Sequence, residues 1–152
     1  MRAQSISGIR RSWRWSACLA LAAFLVAGCS SIRQVAVQEQ MDQLEAQWGI
    51  RPVALRLVGG EHFIDFRYRV TDPQKAVTLL SRNNKAYLID EHSGRVHNVP
   101  VTKLGPMRAS AIEPKADRNY VVIFGNGEKI LHKGSLVTVV IGDFRAEHLQ
   151  VM

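Results

Sequence analysis

Cysteine is nearly absent from this chain: Cys18 and Cys29 are the only two in 152 residues. A scaffold stapled by several disulfides is therefore excluded, as is a zinc site built from cysteine pairs. Acids are missing from the first part of the sequence, where Glu39 is the first of 13. No apolar run reaches the roughly 20 residues that a membrane-spanning helix requires. The motifs of common chemistries are lacking too, with no His-Glu-x-x-His, no Gly-x-Ser-x-Gly elbow and no Gly-x-x-x-x-Gly-Lys loop.

What the N-terminus does hold is the three-part pattern of an export signal. Arg2, Arg10, Arg11 and Arg14 come first, then an apolar run from Ala17 to Ala27, then small residues. The stretch Leu25-Val26-Ala27-Gly28-Cys29 resembles a bacterial lipobox. That resemblance implies removal of residues 1–28 by cleavage between Gly28 and Cys29, a diacylglycerol on the Cys29 thiol, and acylation of the freed amine. Several chains anchor firmly where one binds only marginally, because each buried CH2 contributes about 0.8 kcal/mol. Ser30 stands where lipoproteins retained in the inner membrane commonly carry Asp, which points to the periplasmic face of the outer membrane. Arg10-Arg11 is followed by Ser12-Trp13-Arg14, a poor twin-arginine pattern, so the general export route is expected.

Removing the signal changes the arithmetic. Of 20 Lys and Arg, 4 precede Cys29, so 16 remain against 13 acids and the net charge falls from +7 to +3. Most of the basicity belongs to export, and no basic recognition motif remains to suggest nucleic acid. Cys18 leaves with the signal and Cys29 is the lipid site, so the mature domain has no disulfide to form. Its stability must come from packing.

After the anchor, residues 29–48 are read as the lipidated Cys, a short linker and an amphipathic helix. Val37, Met41, Leu44 and Trp48 share one helical face, and Gly49 supplies the stop. A helix this short needs a surface for its stripe, either the following domain or another chain. From 49 to 152 the period changes to two. Val53, Leu55 and Leu57 alternate with Ala54, Arg56 and Val58; His62, Ile64, Phe66, Tyr68 and Val70 alternate with Phe63, Asp65, Arg67 and Arg69. The segment 74–80 reads as a helical turn or an irregular crossover. A hairpin is expected over 86–101, a strand over 107–112, a central strand over 119–124, and strands over 136–141 and 145–151. Seven or eight short strands separated by Gly, Pro, Asn and Asp predict an antiparallel β-sandwich, with a small barrel as the alternative.

Several strings also look alike to a known group when taken in order: Phe66-Arg67-Tyr68-Arg69-Val70, Asp72-Pro73-Gln74-Lys75-Ala76, Tyr87-Leu88-Ile89-Asp90, Gly105-Pro106-Met107-Arg108 and the run from Val137 to Arg145. They resemble small exported proteobacterial proteins, often lipoproteins, with an immunoglobulin-like domain of uncharacterised function. The resemblance covers nearly everything after Trp48. It implies fold and compartment, and it carries over no catalytic or binding residue.

The candidate chemistry is sparse. His92 in the hairpin loop and His97 on the next strand are the metal-ligand candidates, weighed against scattered surface histidines. Asp90, His92 and Ser93 crowd one turn, where triad geometry is rarely reached. Gly125-Asn126-Gly127 reads as a turn. Arg56, Phe63, Arg67 and Arg69 form a cationic, partly aromatic strip suited to an acidic partner, an anionic lipid headgroup or an anionic glycan, or a solvated face balanced by Asp65. The expectation is therefore a lipid-anchored module that binds another envelope protein, with no cofactor and no catalysis; periplasmic metal handling is the alternative.

Overall fold

A computed structural model describes residues 35–152, so the lipobox and the export signal lie outside the described residues. The chain divides into a unit of residues 1–40 and a unit of residues 41–152. Residues 35–48 are helical, here called α1, and within the second unit Met41, Leu44 and Trp48 pack on the core. The Trp48 ring meets Phe144 edge-on at 5.8 Å. The apolar stripe of residues 41–48 thus rests on the domain that follows it. No helix among the described residues is long and apolar enough to cross a membrane.

Two antiparallel sheets make the domain. One contains β1 (Ile50–Val58), β2 (Phe63–Val70) and β7 (Asn119–Gly125) in the order β1-β2-β7. The other contains β3 (Ala86–Asp90), β4 (Val96–Asn98), β8 (Leu136–Ile141) and β9 (Phe144–Gln150) in the order β4-β3-β8-β9. A two-strand miniature, β5 (Val101–Thr102) with β6 (Gly105–Pro106), sits in the β4–β7 connection. With those two short strands set aside, seven strands remain in a sandwich-like arrangement, the first, second and fifth in one sheet and the others in the second. The chain is mainly β, as the alternation predicts.

Alternation explains the core. Ile64, Phe66, Tyr68 and Val70 of β2 are all fully buried, while Arg67 and Arg69 between them are exposed. They join Leu88, Val122, Phe124, Val137, Val139, Ile141 and Phe144 in one cluster shared by both sheets. Each such side chain contributes about 1.5–3 kcal/mol by leaving water. The sheets also touch at two seams. Met152 N donates to Leu55 O at 2.9 Å, and the His97 Nδ1–H donates to Gly125 O at 2.9 Å.

Four local expectations are corrected. Residues 73–80 form a full helix, α2 (Pro73–Leu80), because Asp72 caps it by accepting from Gln74 N and Lys75 N and Pro73 suits the first turn. Val53 does not face the core: a bulge between Pro52 and Ala54 turns it outward, 51% exposed. Residues 107–112 form no strand, only a bridge from Arg108 to Val122 with flanking bonds Ala109 N to Val121 O and Ile123 N to Met107 O. Those bonds cover β7, which is the last strand of its sheet rather than a central one.

Candidate functional site

The edges of the sheets limit where another molecule can dock. Met152 covers part of β1, and residues 107–109 cover β7. In the second sheet, β4 has only three residues and is followed by Pro100, while β9 is bulged. Short and bulged edges resist strand addition. The outer faces of the two sheets remain, and on the second sheet the polar groups converge at one point.

That point is built by register. Val137 pairs with Leu149 and Val139 with Ala146, so Thr138 alone faces both Glu147 and His148. The extra residue forces His148 to a φ of 55° and leaves its N–H turned away from β8. Glu91, just beyond β3, fills the gap. Its Oε1 accepts from His148 N at 2.7 Å and from Thr138 Oγ1 at 2.8 Å, and its Oε2 accepts from His148 Nδ1 at 2.8 Å. A hollow of about 400 Å³ lies here, lined by Ile89, Glu91, Thr138, Arg145, Glu147 and His148. Arg145 Nε donates to Glu147 at 2.6 Å.

Because Nδ1 donates to Glu91, the Nε2 of His148 is left for a ligand, on a side chain 72% exposed. The bond from Glu91 and its charge hold the His148 pKa above the ordinary 6.5. Burial pushes Glu91 up, but the bonds from His148 and Thr138 outweigh it and bring it below the ordinary 4.5. The imidazolium therefore stabilises the fold fully below pH 6.5, and this is lost as pH rises through the raised value. The carboxylate contributes above pH 4.5 and loses its part as pH falls through the lowered value. Their joint window is pH 4.5–6.5. His148→Asn keeps a residue that tolerates positive φ while removing the titrating ring. The wild-type advantage in urea midpoint is expected to be greatest within that window and to shrink above neutrality; an advantage independent of pH would contradict the pair.

The residues singled out from sequence fare differently. Asp90 is committed to its turn, accepting from His92 N at 3.1 Å and from Ser93 Oγ, so the Asp90, His92 and Ser93 cluster is a cap and not a triad. Burial raises the Asp90 pKa, yet these bonds hold it below the usual value. His97 is buried in the seam between the sheets, while His92 is an exposed turn residue. Among the described residues no group of three or more His, Cys, Asp and Glu is placed to hold a metal ion. In the cationic strip, Arg67 forks onto the buried Asp65 at 3.0 and 3.2 Å. Arg56 stands across the strands from Asp65, Arg69 from Arg51, and Phe63 from Val58. Arg67 is thus neutralised, and Arg56 and Arg69 are left without an ion-pair partner among the described residues.

Glu91, Thr138, Arg145 and His148 were not singled out from sequence. Glu91 and His148 are 57 positions apart, and only the β3-β8-β9 register together with the bulge brings them into contact. A reversal at Gly142-Asp143 signals the pairing of β8 with β9, but nothing in the alternation marks the extra residue. Comparison of the chain with protein-family models, with curated proteins and with solved structures finds no match.

Proposed function

We propose that the chain is a periplasmic lipoprotein, held at the outer membrane through Cys29, whose immunoglobulin-like domain is a binding or accessory module for another envelope protein. The lipobox resemblance supports the anchor. Confinement to a surface raises the effective concentration of a module beside its partner without any added contact. The observation that carries the binding reading is the hollow at His148. An oriented imidazole, an arginine and three acids, Asp90, Glu91 and Glu147, meet there on a sheet face, where a partner can be recognised by directed hydrogen bonds. Arg56 and Arg69 on the other sheet offer a less built surface, since neither is held by an ion pair among the described residues.

A photoreactive amino acid placed at Arg145 in living cells tests this directly. Capture of one envelope protein from position 145, and none from the exposed control position Arg67, is expected. Equal capture from both positions, or none from 145, would remove the hollow as the docking point. No observation on the domain favours the metal-handling reading, because His97 spends its Nδ1 on Gly125 and His92 stays in its turn.

A further inference from the structure

A second hollow, of about 520 Å³, lies where the end of α2 meets residues 110–112. Sites for small ligands commonly span roughly 300–1,000 Å³. Its apolar lining is Val77, Leu80, Ala111 and Ile112, joined by Arg82 and Ser110. Val77 is 44% exposed and Ile112 is 94% exposed, so apolar surface stands open to solvent on both sides of it. No carboxylate lines it; Glu113, next to Ile112 in sequence, is outside the lining.

Part of the backbone around this hollow is already paired. Ala111 N donates to Leu80 O at 3.2 Å, and Ser81 N donates to Thr78 O at 3.2 Å. Arg108 donates to Leu79 O at 2.7 Å, Ser81 O at 3.3 Å and Asn84 O at 2.6 Å. Its guanidinium therefore offsets the negative end of α2, which would otherwise repel an anion. Arg82 is the charged group in the lining, beside the polar Ser81, Asn83 and Ser110: its Nε donates to Ser110 Oγ at 3.1 Å and it pairs with no acid among the described residues.

We infer that this hollow binds a single-chain anionic amphiphile, with its tail against Val77, Ala111 and Ile112 and its carboxylate or phosphate on Arg82. A guanidinium fixed at one nitrogen keeps its other donors for a planar carboxylate or a phosphate. The membrane surface proposed for the protein would supply either kind, as a fatty acid or as a lysophospholipid. The inference uses none of the groups at His148 and stands apart from the docking face.

The test is photolabelling of the full chain by a dodecanoate carrying a diazirine on its tail, followed by peptide mapping. Labelling within 77–83 and 110–112 is expected, and excess dodecanoate or dodecyl phosphate should compete it. Whichever competes at lower concentration identifies the carboxylate or the phosphate as the natural head group. Arg82→Glu should lower the labelling about tenfold, and Arg82→Lys should retain much of it. Equal competition by dodecyltrimethylammonium, or labelling indifferent to Arg82→Glu, would overturn the site. So would a change in sedimentation of the unliganded chain on Ile112→Ser, which would assign the hollow to a second copy.

Discussion

Asn126→Ala is expected to lower stability by roughly 3–4 kcal/mol, a large effect for one polar side chain. Asn126 is 1% exposed and uses its whole amide. Its Nδ2 donates to Glu61 O at 2.8 Å and Leu131 O at 2.9 Å, and its Oδ1 accepts from Leu131 N at 3.1 Å. Alanine would leave the Leu131 N–H and C=O buried without partners, each costing about 1–3 kcal/mol in isolation, while Glu61 O belongs to an exposed residue. Asn126→Asp is expected to be harmful as well, because a carboxylate cannot donate to the two carbonyls. The measurement is the urea midpoint at constant slope. A midpoint shift worth less than about 1 kcal/mol would mean that water replaces the amide.

Gly49→Ala should cost about 3 kcal/mol, from left-handed strain of roughly 1–2 kcal/mol and a clash. Gly49 sits at φ 64° where α1 ends, and an added Cβ would meet Asp72 O at 2.4 Å. The contact cannot relax cheaply, since Gly49 O also accepts from Thr71 N at 2.8 Å and Asp72 N at 3.0 Å. Moving the strand would break the cap of α2. Gly94→Ala is the control, with φ 71° and nothing within 4 Å of its Cβ. It carries the strain alone, so the difference between the two thermal midpoints isolates the clash. Equal losses would show that the close approach to Asp72 does not matter.

Both positions show what the sequence could and could not convey. Gly49 was readable as a helix stop, because a residue after an amphipathic run that permits positive φ has few other purposes. That it abuts Asp72 was not readable, since the contact depends on how β1 and β2 place their ends. Gly125-Asn126-Gly127 was legible as a turn, whereas the anchoring of Asn126 to Glu61 joins loops far apart in sequence. Alternation at Ile64, Phe66, Tyr68 and Val70 gave the buried face of β2 correctly because nothing interrupts the pleat. At Val53 and His148 one extra residue breaks the period of two, and the side chain leaves the face that counting assigns. The candidate site lies at one of these breaks, which is why the histidines singled out first were His92 and His97 instead of His148.

The proposed tether unites the reading: it would account for the basic N-terminus and would confine a small binding module beside its partner. Intact mass spectrometry of the protein extracted from envelope membranes tests it most directly. The account predicts a chain that begins at Cys29 and carries the added mass of a diacylglycerol and an amide-linked acyl chain, with neither modification on a Cys29→Ser variant. A chain that retains Met1, or one that begins near residue 29 with a free thiol and amine, would contradict it.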